Sequence, residues 1–270
     1  MRASLALVVA LAGCAGADAA TSPQAPTATA TATQQTELGL HPGEAMAFEV
    51  QLAGVLVGEA QLAVGDIGDA GGKRALVVKS RAATAGAAAL VRKIVDEATT
   101  TIDAETGDPI SVETNVEMGD KKTVASATFL PTYAVVKYQR NEDKQPTTFN
   151  VQYRGQRLHD AHSAMAQLRG WKAAPGTVRS VYVIGGRRLW RVDVKYVGEE
   201  TIGSAVGNRR AVVYEGVSYR AKRDLAAESD KPARKFRVWL SDDADRVPLK
   251  VAATTELGDV NMTLTDYSRP

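Results

Sequence analysis

The sequence predicts an all-β, mainly antiparallel domain, built as a curled meander sheet or partly closed β-barrel of about twelve strands with one or two short covering helices. Three observations predict it. Apolar and polar residues alternate with a period of two along most of residues 37–270. Short glycine-bearing pairs punctuate the alternating runs, and only two segments carry helical spacing. A sheet this long should twist, curl and partly close on itself.

Met46, Phe48, Val50 and Leu52 share one face of the first strand, and Ala53-Gly54 turns the chain into Val55 to Val64. Gly71-Gly72 precedes a strand from Ala75 to Ser80. Further strands are expected at 97–102, 110–118, 123–129, 133–138 and 147–153. Gly185-Gly186 links 178–184 to 189–197 as a hairpin, because both turn residues tolerate positive φ. Runs at 210–221, 235–241, 247–256 and 260–267 complete the meander. Ala85 to Ile94 has Leu90, Val91 and Ile94 on one helical face. Asp160 to Arg169 carries Ala161, Met165 and Leu168 at helical spacing, with Asp160 placed as the N-cap and Gly170 and Pro175-Gly176 to end it. Both helices are expected to cover an end or the open side of the sheet.

The N-terminus has a different chemistry. Arg2 precedes an apolar stretch from Leu5 to Leu11, too short to cross a bilayer but of the length of a signal-peptide core. Leu11-Ala12-Gly13-Cys14 resembles the bacterial lipoprotein box, which places a diacylglycerol on the cysteine thiol and a further acyl chain, such as palmitate, on its amine. Residues 1–13 are thus expected to be an export signal, and Cys14, the only cysteine, the lipidated residue. Two or more acyl chains hold a protein on a membrane surface where one does so only marginally. Residues 14–36 hold Pro23, Pro26 and a Thr-Ala run from Thr27 to Thr33, with Asp18 as the lone charge, a composition that predicts a disordered tether. Residues 37–270 are expected to form one β domain facing the periplasm. Ala15 rather than aspartate after the cysteine favours the outer membrane under the sorting convention of enteric bacteria.

Several segments together resemble a known family. The Asp160 to Gly176 segment contains Ser163 and Arg169, and Tyr196-Val197-Gly198-Glu199-Glu200-Thr201-Ile202 closes a later strand. Phe236-Arg237-Val238-Trp239-Leu240-Ser241-Asp242-Asp243 is followed by Arg246-Val247-Pro248-Leu249-Lys250, and Phe48-Glu49-Val50 with Gly54 and Val57-Gly58 stands early. These residues resemble domain-of-unknown-function family 3108, exported bacterial β-sheet proteins. The resemblance implies a curved antiparallel domain in the cell envelope and no catalytic residues. Asp160, Arg169, Trp239, Asp242, Asp243, Arg246 and Pro248 are its signature positions here, as candidate binding or structural residues.

Constellations with defined chemistry are sparse. His159 and His162 could share a helix face, but no third histidine or thiol stands near them, so no metal and no cofactor is expected, and both read as ordinary loop or helix-start residues. No Gly-x-Ser-x-Gly elbow or phosphate loop occurs, so no enzyme is expected, with an envelope hydrolase as the weaker alternative. Asp242, Asp243 and Asp245 lack the spacing of a calcium loop and read as a turn whose carboxylates accept backbone N–H bonds, with Arg246 neutralising them. Alternation puts Phe236, Val238 and Leu240 on one face and Arg237 and Trp239 on the other. Trp239 is therefore expected to be buried, either under the 160–169 helix or on a ligand-facing side, packed core being the favoured outcome.

Residues 154–195 carry nine Lys or Arg against Asp160 and Asp193, whereas residues 37–151 carry eleven basic and sixteen acidic side chains. The basic stretch is either a face for an anionic envelope partner or part of an intermingled solvated surface; nucleic acid is not expected. The leading function is binding of a lipid-like, apolar or amphipathic ligand in the concave sheet. The alternative is a structural or assembly factor docking to another envelope protein.

Overall fold

The structure, a computed structural model, describes residues 38–204, 207–228, 230–255 and 258–270, so Cys14 and the tether lie outside the described residues. The first half of the chain gives β1 (Ala45–Leu52), β2 (Val55–Val64), β3 (Gly68–Asp69), β4 (Arg74–Thr84), α1 (Gly86–Val91), β5 (Ile94–Asp103), β6 (Pro109–Met118), β7 (Lys121–Phe129), β8 (Tyr133–Arg140) and β9 (Thr147–Gln152). The second half gives β10 (Leu158–His159), α2 (Ala161–Arg169), β11 (Val178–Gly185), β12 (Arg188–Ser204), β13 (Gly207–Ala221), β14 (Arg234–Ser241), β15 (Pro248–Thr255) and β16 (Gly258–Ser268). The sixteen strands form one sheet, in the order β10-β11-β12-β13-β14-β15-β16-β1-β2-β4-β5-β6-β7-β8-β9, with β3 beside β4. Every pairing is antiparallel except β10 with β11. The count exceeds the expected twelve partly because β3 and β10 have two residues each and so show no period to read.

Period-two burial decides which face of the twisted sheet turns inward. In β1, Met46, Phe48 and Val50 are buried while their neighbours are half-exposed, and β16 buries Val260, Met262 and Leu264 opposite them. The β1–β2 turn sets Ala53 and Gly54 both at positive φ, 49° and 80°, the geometry of a tight two-residue hairpin. At Gly216 the Phe236 ring lies across the backbone: an added Cβ would stand 2.0 Å from Phe236 Cζ. β12 runs past Val197 to Ser204 through a register shift between Tyr196 and Gly198.

The strand directions fix two poles. The chain enters β1 at Ala45, and this proximal pole also carries the β14–β15 turn at 242–247 and the C-terminus, which packs at Gly43. The β1–β2 turn, α1 and the β6–β7 turn lie at the distal pole.

The two helices meet the sheet differently, and only α1 departs from the sequence expectation. α2 lies inside the curl: Ala166 joins Leu76, Val78 and Ile102 on one wall, while Leu168 and Trp171 pack with Trp190, Tyr214 and Val238 on another. α1 covers nothing. It buries no residue, and Leu90 and Val91 are 90% and 88% exposed. The physical reason is its place: β4 and β5 stay paired up to Ala83 and Val95, so the connection projects beyond the sheet and only Ala88 packs on the core.

Candidate functional site

The densest polar chemistry surrounds α2. Asp160 at the N-cap accepts from His162 N at 2.9 Å and Ser163 N at 3.1 Å, and Ser163 Oγ accepts from Asp160 N at 3.1 Å, a reciprocal capping box. Thr100 on β5 donates its hydroxyl to Asp160 Oδ2 at 2.6 Å. That hydroxyl has one hydrogen, so toward His162 Nδ1, 2.7 Å away, Thr100 Oγ1 accepts. His162 therefore carries its proton on Nδ1, and bare Nε2 accepts from Ser80 Oγ of β4 at 2.8 Å. Burial lowers the His162 pKa, with Asp160 pulling the other way, so the ring is neutral near pH 7. His159 Nδ1 lies 3.2 Å from Ser163 Oγ, and burial lowers its pKa too. Both histidines are thus buried groups of a network rather than ordinary loop residues, because the chain turns inward at β10 to carry α2 into the curl.

Aspartate, threonine, histidine and serine stand in the order of a proton relay. Yet Ser80 is 7% exposed and His162 3%, so the serine hydroxyl and the imidazole are both closed off from the surface. In that setting the four side chains fasten α2 to β4 and β5.

The other end of α2 is held by charge. Arg169 donates from Nη1 to Glu44 Oε1 at 2.6 Å and from Nη2 to Glu44 Oε2 at 2.9 Å, a two-pronged pair with both side chains essentially inaccessible. The same guanidinium donates to the Arg246 carbonyl at 3.1 Å and the Asp245 carbonyl at 2.8 Å. Four hydrogen bonds satisfy the buried cation, the condition under which such a pair is tolerated. Gly39 lies against this helix end, where a Cβ would come within 2.5 Å of Ala166 O and Arg169 Cβ. Glu44, Thr100 and Ser80 carry no sequence signal, since their partners lie 125, 60 and 82 residues away. Among the described residues no group of three or more His, Cys, Asp or Glu could hold a metal ion.

The profile of the family described as protein of unknown function, DUF3108, matches residues 47–265. The chain belongs to this family. Among solved structures, the DUF3108 domain is similar to a β-barrel-like protein of domain of unknown function DUF1849 from Brucella abortus, at 10% identity and a TM-score of 0.56, covering 84% of this chain and 97% of that one. That likeness is one of fold. A candidate exported protein with a YmcC-like fold from Bacteroides fragilis matches at 8% identity and a TM-score of 0.36, covering 85% and 97% of the two chains. A candidate lipoprotein from Parabacteroides distasonis matches at 6% and 0.37, covering 87% and 100%. No curated protein matches the chain.

Within the DUF3108 domain the candidate residues singled out from the sequence fall into two groups. Asp160, Arg169 and the carbonyls of Asp245 and Arg246 meet at or near α2, whereas Trp239 lies elsewhere. Asp243 Oδ1 accepts from Ser241 Oγ at 2.6 Å and from the backbone N–H groups of Asp245 and Arg246, both at 3.1 Å. Asp242 pairs with Arg210 at 3.1 Å and stands 4.0 Å from Arg246, and Pro248 opens β15. The turn thus presents its carbonyls to Arg169. Trp239 is 7% exposed and joins Phe48, Val213 and Leu249 in one cluster, while Phe236, Val238 and Leu240 belong to another. Its cover is not α2. Arg237 and Lys250 stand over the ring at 5.0 and 5.3 Å, and Nε1 donates to Glu200.

The basic stretch from 154 to 195 makes no single face. Arg169 is internal, Arg157 pairs with Asp108, Arg191 with Asp193, and Arg179 lies over Trp171.

Proposed function

We propose that this chain is a membrane-anchored envelope lipoprotein that acts through its surface, as a non-enzymatic docking module, rather than by carrying a ligand inside its sheet. The observation that supports this reading is the locking of α2 within the curl. A carrier needs enclosed apolar room; here the space holds a helix pinned at one end by Asp160, Thr100, His162 and Ser80 and at the other by Arg169 on Glu44. Expelling the helix to admit a lipid would strand a buried carboxylate and guanidinium, a cost of several kcal/mol. A depression of about 520 Å³ lies on the outer side of β1, β2, β4 and β5, open to solvent, with Lys79, Arg81, Glu97 and Asp266 among its lining beside Ala45, Ala47 and Ala63.

Anchoring by a lipid on Cys14, with the domain facing the periplasm, completes the proposal. Titration of the Cys14→Ser chain with N-phenyl-1-naphthylamine tests the functional reading. Fluorescence should stay low. Saturable, stoichiometric enhancement, abolished by a fatty acid, would return the reading to a carrier. Cys14→Ser should also shift the protein from membranes to the soluble fraction; a variant still held on membranes after a salt wash would refute the anchor.

A further inference from the structure

The distal pole carries a surface that the interior reading leaves unused. Two adjoining connections there contain no polar side chain: Ala53-Gly54-Val55-Leu56 at the β1–β2 turn, and Ala85-Gly86-Ala87-Ala88-Ala89-Leu90-Val91 around α1. Surface connections are ordinarily rich in polar and turn-forming residues. These are also outward: Val55 is 64% exposed, Leu56 51%, Leu90 90% and Val91 88%. The Ala85 N–H donates to the Val57 carbonyl at 3.0 Å, which seats the two connections side by side.

Immediately behind this tip the chemistry changes sign. Arg92 and Lys93 follow α1 directly, and Gly119 N donates to the Lys93 carbonyl at 2.9 Å, bringing the β6–β7 turn with Lys121 and Lys122 alongside. Asp120 and Glu117 are the acids of that turn, the latter paired with Lys122 at 3.2 Å. Four cations thus stand behind four exposed aliphatic side chains.

We infer that this tip inserts into the surface of an anionic phospholipid bilayer, with Val55, Leu56, Leu90 and Val91 among the acyl chains and Arg92, Lys93, Lys121 and Lys122 at the headgroup phosphates. The pattern fits a bilayer better than a protein. A protein interface draws its energy from aromatic and arginine anchors in pockets with hydrogen bonds around them. This surface protrudes, and the side chains of its two connections are purely aliphatic. An apolar wedge backed by cations is the arrangement by which surface elements rest in the interface of a negatively charged membrane.

The length of the chain is compatible with the same membrane that would hold Cys14. The tip lies one strand length from Ala45, and eight strand residues span about 26 Å. The 22 residues from 15 to 36 could reach at most about 75 Å if fully extended, which leaves length enough for the distal pole to come down to that surface.

The test uses the full chain with Cys14→Ser, so that no acyl chain contributes. It should sediment with vesicles of three parts phosphatidylethanolamine to one part phosphatidylglycerol, much less with phosphatidylcholine vesicles, and less at 0.5 M salt. Leu90→Asp with Val91→Asp should weaken binding at least tenfold. Lys93→Gln with Lys121→Gln should weaken it only on the anionic vesicles. All four sites are exposed, and unchanged circular dichroism would show that the fold persists. A parent chain that ignores both vesicle types, or an aspartate variant that binds as well as the parent, overturns the inference, as does a chain that self-associates through the tip without binding lipid. The inference is separate from the filled-interior reading: vesicle binding can fail while the naphthylamine probe stays dark.

Discussion

The two helices invert the usual relation between hydropathy and burial. α1, Gly-Ala-Ala-Ala-Leu-Val, is apolar throughout and buries no residue; α2, Ala-His-Ser-Ala-Met-Ala-Gln-Leu-Arg, buries His162, Ser163 and Arg169 along with Ala166. The difference teaches that topology decides which segment goes inside, and that partners then make the burial tolerable. α1 connects neighbouring strands and must project at their end. α2 connects β10 to β11, where the curl is open; inside it, His162 meets Thr100 and Ser80, Arg169 meets Glu44 and two carbonyls, and Ser163 bonds back to the Asp160 cap.

The largest expected effect that would break this contrast is at Arg169. Arg169→Ala leaves Glu44 buried and unpaired and should cost about 3–5 kcal/mol in a urea melt. Arg169→Met with Glu44→Gln should recover a good part of it; a single variant that loses under 1 kcal/mol would mean the helix end is not held by charge. Trp239→Ala removes a ring whose cover includes the long stems of Arg237 and Lys250, and should cost about 3 kcal/mol by the same measurement. An unchanged melting midpoint would show that ring to be dispensable.

Asp160→Ala removes the cap and the acceptor of Thr100, for an expected loss of about 1–2 kcal/mol. The pH response sharpens the same point. His162 and His159 have folded pKa values below their unfolded value of 6.5, so the unfolded chain binds more protons once pH falls below it. Their contribution is present above pH 6.5 and is lost as pH falls toward the folded values. Half-buried Asp96, raised to about 6 chiefly by desolvation and secondly by Glu97, works in the opposite sense, favouring the folded state as pH drops from 6 toward 3.8. Comparing His162→Gln with the parent separates the two: the variant should show a shallower fall in Tm between pH 7 and 5. Equal slopes would exclude His162 as a source of acid lability. The smallest effect belongs to α1, where Leu90→Ser with Val91→Ser should stay within about 0.5 kcal/mol of the parent. A larger loss would mean that these side chains contact the core after all.

Much of this fold is written locally. β2 and the cap at Asp160 follow from period-two alternation and from an acidic residue ahead of a helical run, both of which act between near neighbours. Helical spacing at Leu90 and Val91 gave the helix but not its side, because burial depends on where the hairpin ends. The polar site was illegible for a different reason. Arg169 could be singled out as a signature residue, but nothing near it names Glu44, which lies 125 residues earlier, and nothing near His162 names Ser80. Pairings of that separation are set by the curl of the whole sheet, and a single serine or glutamate at an inward position of a strand carries no periodic mark.

The sheet order has a kinetic corollary. β1 and β16, the first and last strands of the chain, are paired at the middle of the sheet, Ala45 against Ser268 through Leu52 against Val260, while β9 and β10, close in sequence, lie at its two edges. Each half of the meander can form from neighbouring hairpins as it is made. The central seam, by contrast, must wait for the final strand, and closing it carries the entropy of a loop of more than two hundred residues, which grows only logarithmically with length but always falls due last. A chain made from its N-terminus therefore remains two unjoined sheets, each with an open inner edge, until its last dozen residues are available.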